Sequence, residues 1–162
     1  MAATPQQKQN AENVFNTIIK MLDSINFHYE TDTSDDMPMI SLTVNGDDLP
    51  MKVFIFVRPE REIVSLYSPI PVKVPEDKRV EMAVAVAMAN DGMIDGSFDY
   101  SLSKGEIRFR LTESFVESLL GQEQFRYMLG VSVNTIDRFN DRFLMLAKGM
   151  MTLDQFSEAI SK

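Results

Sequence analysis

The chain has 162 residues, a hydrophobic fraction of 44% and a net charge of −8. That length suits one domain with a sizeable core, and the acidity, with no basic run, argues against a nucleic-acid surface, whose affinity comes from clustered Lys and Arg. There is no cysteine, which excludes disulfides, thiolate nucleophiles and cysteine-bound zinc.

The first ten residues, MAATPQQKQN, are read as a flexible N-terminus without an apolar signal segment. From about Ala11 to Ile25, the residues Val14, Phe15, Ile18, Ile19, Leu22 and Ile25 keep the 3–4 spacing of an amphipathic helix. Asn26 to Glu30 then reads as a short strand, and Thr31 to Asp36 as an acidic loop. Ile40, Leu42 and Val44 alternate with Ser41 and Thr43, which predicts a strand with one wet face. Asn45-Gly46-Asp47-Asp48 is a turn, and Pro50 limits how early the next strand pairs. Val53-Phe54-Ile55-Phe56-Val57 is continuously apolar and predicts a strand covered on both faces. Pro59 to Glu62 turns the chain into a strand over Ile63–Ser68, and Pro69, Pro71 and Pro75 mark an extended connector.

Pro75 reads as the first residue of a helix, with Glu76 and Asp77 at the positive end of its dipole. Val80 to Ala89 leave almost no polar side, which predicts burial on more than one face. Asn90-Asp91-Gly92 supplies the stop. A hairpin follows. If Lys104-Gly105 is a two-residue loop, Leu102 faces Ile107, Tyr100 faces Phe109 and Phe98 faces Leu111, all on one side. On the other side Asp99 then lies opposite Arg110 and Ser101 opposite Arg108. The two arginines are read as solvated, with anion binding as the alternative.

In the last third Phe125, Leu129, Ser132, Ile136, Phe139, Phe143, Leu146 and Met150 form a heptad seam. It predicts a long helix laid across the sheet, with a helix that also packs against a partner chain as the alternative. Gly130 is a candidate kink, Lys148-Gly149 a helix end, and Thr152-Leu153-Asp154-Gln155 a capping box for a short last helix over 151–162. The expected fold is α+β, an antiparallel sheet with helices packed on it in the order α-β-β-β-(β)-α-β-β-α-α. Residues 11–150 make one domain.

The segment Ala89-Asn90-Asp91-Gly92-Met93-Ile94-Asp95-Gly96-Ser97-Phe98-Asp99-Tyr100, followed by Gly105-Glu106-Ile107-Arg108-Phe109-Arg110, resembles the signature of YbjN-like proteins, also called sensory transduction regulators. The run from Gly121 through Phe125 to Gly149 is similar to that family's long last helix. The resemblance implies the fold of class I type III secretion chaperones, which are small acidic dimers that hold an extended segment of a client. It carries no catalytic residues.

The residues themselves point to no reaction. His28 is the only histidine, and no nucleophile elbow, phosphate loop or dinucleotide fingerprint is present. Asp35-Asp36 and Asp47-Asp48 are read as solvated loop tips, with a divalent cation as the alternative. Most of the twelve methionines are assigned to the core, while Met37, Met39, Met93, Met150 and Met151 fall at loops or element ends, where Met adapts to varied apolar partners. The expectation is a non-catalytic, cytoplasmic, homodimeric protein-binding module with a chaperone-like or regulatory role, needing no cofactor, metal, nucleic acid or membrane. Its interaction surface is placed on Phe125, Leu129, Ile136, Phe139 and Phe143, residues that would equally serve an internal core. The alternatives are a sensor that holds a small molecule between sheet and helices, and an enzyme built on carboxylates.

Overall fold

The computed structural model describes residues 2–35, 37–47 and 49–161. The first helix, α1, runs over Pro5–Ser24 and starts six residues ahead of the expected Ala11. Its signal lay in the sequence: Thr4, Pro5 and Gln7 form a capping box with proline in the first turn. Strands β1 (Tyr29–Asp32), β2 (Met39–Asn45), β3 (Pro50–Arg58) and β4 (Ile63–Lys73) follow, then α2 (Arg79–Asn90), β5 (Ser97–Ser101), β6 (Glu106–Ser114), α3 (Gln122–Ala147) and α4 (Leu153–Ile160). The expected element order is therefore the observed one. The six strands form one antiparallel sheet in the order β1-β2-β3-β4-β6-β5.

All four helices lie on one face of this sheet. Helix α3 crosses β4 and β6, α1 sits beside α3 over β3, and α2 covers β5. The inner face is built by alternation: Ile40, Leu42 and Val44 of β2, Met51, Val53, Ile55 and Val57 of β3, and Ile107, Phe109 and Leu111 of β6 are all buried. Rings fill the space between the layers. Phe98 meets Phe109, Phe139 and Phe143 edge-on with centroids 5.5, 5.3 and 5.1 Å apart, and Phe143 meets Phe156 of α4 at 5.5 Å.

Four further expectations are corrected. Strand β3 is covered on one face only: Phe54 and Phe56 remain half-buried on the side that no helix reaches. Strand β4 runs through Pro69 and Pro71 to Lys73, because its pairing with β3 has ended by Tyr67 and its register with β6 shifts between Pro69 and Lys73. Proline's missing N–H is tolerated at such an irregularity. The α-helix starts at Arg79, after a 3-10 turn over Glu76–Lys78, so Pro75 precedes the helix instead of opening it. In the hairpin, Tyr100 pairs with Ile107, Phe98 with Phe109 and Asp99 with Arg108. The loop is longer than two residues, and Leu102 is in it. The register differs from the expected one by an even step, so every side chain keeps its face while its opposite number changes. Gly105 has the left-handed φ of +67° that was expected there. Helix α3 passes through Gly130 without a break.

Candidate interaction surfaces

The five residues expected to present a surface do not do so. Phe125, Leu129, Ile136, Phe139 and Phe143 are core residues of the chain's own fold, and even Leu129 is only 6% exposed. The heptad seam is satisfied internally, by the sheet beneath α3 and by its neighbouring helices. Only its last member, Met150, beyond the helix end, is exposed. Among the other methionines singled out, Met37 is exposed, whereas Met93 and Met151 pack partly against the core.

One open apolar row lies on α2. Met82, Ala85, Val86 and Ala89 face inward, but Val80 is 71% and Val84 41% exposed, and Ala87 continues their row one turn on. The helix was expected to be buried on more than one face, and here the face of Val80, Val84 and Ala87 meets water. Beyond the helix, Ile94 is 95% exposed, and Leu102 in the hairpin loop is exposed as well. The start of α2 is tied to that loop: Arg79, next to Val80, donates to the backbone carbonyl of Ser103, next to Leu102, at 2.8 Å. The row and the loop are thus held side by side.

A second open surface is the outer face of the sheet. Phe56 and Tyr67 meet edge-on there at 5.7 Å. The Arg58 guanidinium lies 5.4 Å from the first ring centroid and 5.7 Å from the second, and Arg108 lies 4.8 Å from Tyr67. Asp99 accepts from Arg108 at 3.2 Å and from Arg110 at 3.0 and 3.1 Å. Partial burial alone would raise the Asp99 carboxyl, but the hydrogen bond and charge of Arg110, joined by those of Arg108, outweigh it, and its pKa is lowered. At the far end of this face, His28, just ahead of β1, lines a recess of about 510 Å³ with Glu30, Ser41, Thr43, Lys52 and Phe54.

Among the described residues, no three His, Asp or Glu side chains are placed to hold a metal ion. Asp36 and Asp48, one from each acidic pair, lie outside the described residues. Asp47 is held by its own backbone N–H, which donates to Asp137 of α3 at 3.4 Å. Among the described residues, no helix is long and apolar enough to cross a membrane.

The family model for YbjN, described as "putative bacterial sensory transduction regulator", matches residues 15–145. The chain belongs to this family. Solved structures share its fold, two of them as follows. The ExsC–ExsE complex aligns with a TM-score of 0.55 and 16% identity over 83% of this chain and 95% of that one. YbjN from E. coli aligns with a TM-score of 0.54 and 13% identity over 84% of this chain and 92% of that one. At such identities the likeness concerns the fold, which is the type III secretion chaperone-like α+β arrangement that the resemblance implied. No curated protein sequence matches the chain.

The family signature has a structural reason here. Asn90 ends α2, and its amide grips the backbone of Phe98 on both sides: Nδ2 donates to the carbonyl at 3.0 Å, and the Phe98 N–H donates to Oδ1 at 2.7 Å. Strand β5 is at the sheet edge, so this side chain stands in for a missing strand neighbour. The signature thus clips a helix to an edge strand and seats Phe98 in the core.

Proposed function

We propose that this protein is a non-catalytic, cytoplasmic protein-binding module with a chaperone-like or regulatory role, and that it works as a homodimer joined through the outer face of α2. The carrying observation is the exposed row Val80, Val84 and Ala87. Small aliphatic side chains at helical spacing let two helix axes approach closely, and a two-fold contact would place the same row on both sides. Family membership supports a regulatory role. The ExsC neighbour, solved in complex with ExsE, supports a protein client. The sensor alternative is disfavoured by the packed rings that occupy the space between sheet and helices.

Light scattering coupled to size exclusion tests the dimer. A dimer mass at micromolar concentration is expected, and Val84→Asp should return a monomer that keeps its circular dichroism spectrum. A wild-type chain that stays monomeric to high concentration would refute the reading. For the client, affinity capture from the native cell should enrich one or a few proteins, and enrichment of nothing over a control would count against that part.

A further inference from the structure

The chain has eight arginines in an acidic whole, and four of them, Arg58, Arg61, Arg108 and Arg110, line one concavity of about 470 Å³ on the outer face of the sheet. Among the described residues, two carboxylates line the concavity or pair with these arginines. Glu60 lines the same concavity, and Asp99 is shared between Arg108 and Arg110. Among the described residues, no carboxylate pairs with Arg58 or Arg61. Arg58 is held against the rings of Phe56 and Tyr67, and its buried Nη1 has no hydrogen-bond partner. Such a donor is costly to leave unmet. Its planar fork is preset by the rings for a planar oxyanion.

We propose that this concavity binds an acidic segment of a partner polypeptide, whose Asp or Glu carboxylates reach Arg58 and Arg61 while neighbouring side chains rest on Phe56 and Tyr67. This rests on the protein-binding reading and adds the chemistry of the segment held. Charge complementarity selects the occupant. The positive patch is local on a chain of net charge −8, so a long nucleic-acid strand would run on into repulsive surroundings, whereas a short acidic stretch of polypeptide matches the size of the patch. The half-buried Tyr67 ring that lines it, with Phe56 beside that ring, adds apolar contact that a bare phosphate cannot use.

The test is fluorescence polarisation with a labelled oligo-glutamate peptide carrying interspersed leucines, at low salt. Saturable binding is expected, weakening as salt rises. Arg61→Gln and Arg58→Gln should each weaken it about tenfold, the loss expected of a charge-assisted hydrogen bond. Lys148→Gln, at the end of α3, should change nothing. Arg61 is exposed, so its variant keeps the fold if Arg58→Gln does not. The inference is overturned by no saturable binding, by equal loss in the Lys148 control, or by inorganic phosphate or single-stranded DNA binding as tightly as the peptide. A dimer that ignores the peptide sinks this inference alone, and a monomer that binds it sinks the dimer alone.

Discussion

Replacing Asn90 by Ala removes both hydrogen bonds that clip α2 to the edge strand. The Phe98 N–H and C=O they satisfy, at 2.7 and 3.0 Å, point away from β6 and have no strand beyond them. A net worth of about 0.5–1.5 kcal/mol for each bond makes the pair worth roughly 1–3 kcal/mol. The upper half of that range is expected, because Phe98 is buried and packed against three other rings, which hinders water from replacing the amide. For a domain of this size, about 2–4 °C is lost per kcal/mol, so the melting temperature should fall by roughly 4–12 °C. Urea unfolding of Asn90→Ala, at unchanged slope, gives the free energy directly. Hydrogen exchange at the Phe98 amide should accelerate far more than at Phe109. A variant within about 0.5 kcal/mol of wild type, the range of ordinary surface changes, would refute the clip as a source of stability.

Phe143→Ala should cost about 3–5 kcal/mol, the usual cost of deleting a fully buried ring, since Phe143 is wholly inaccessible; a near-neutral result in urea unfolding would return the heptad seam to the surface. Asp99→Asn should lower stability at pH 7 by about 0.5–1 kcal/mol, as befits a partly exposed ion pair. Asp99 has a lowered pKa, so its contribution is present above the ordinary carboxylate pKa and is lost as pH falls through the lowered value. The gap between wild type and variant should therefore close in acid, and a gap that widens below pH 4 would contradict the assignment. Gly96→Ala should destabilise by about 1–2 kcal/mol from its left-handed backbone alone. An added Cβ would also collide with the Phe109 ring and come within 2.8 Å of the Arg110 carbonyl oxygen. A melting temperature unchanged by that substitution would count against the close approach of the Gly96 loop to β6.

Much of this architecture is readable before any coordinates. The 3–4 spacing from Val14 to Leu22 and from Phe125 to Leu146 encodes two helices, because a helix buries one stripe. The capping boxes at Thr4 and Thr152 encode helix starts, one seen in advance and one overlooked. The side of each hairpin residue follows from alternation even when the register does not, since loop length moves partners in even steps that preserve faces. Arg108 and Arg110 were visible as a pair on a wet strand face. Arg58 and Arg61, which come from the end of β3 and the turn after it, far away in sequence, joined them only through the pairing of β3, β4 and β6.

Periodicity and local turn chemistry, properties of neighbouring residues, were enough to set the α+β class and the element order, while the family was legible only as a resemblance carried by the Ala89–Tyr100 and Gly105–Arg110 segments. Which apolar surface remains uncovered was decided by tertiary structure. An apolar run records that residues avoid water, but not which neighbour shields them. The seam on α3 found the sheet and the other helices, the rings of β3 found shelter on one side only, and Val80 and Val84 of α2 found nothing within the chain. That allocation depends on how six strands and four helices share one face of a sheet, a non-local competition for contact area that no window of sequence contains.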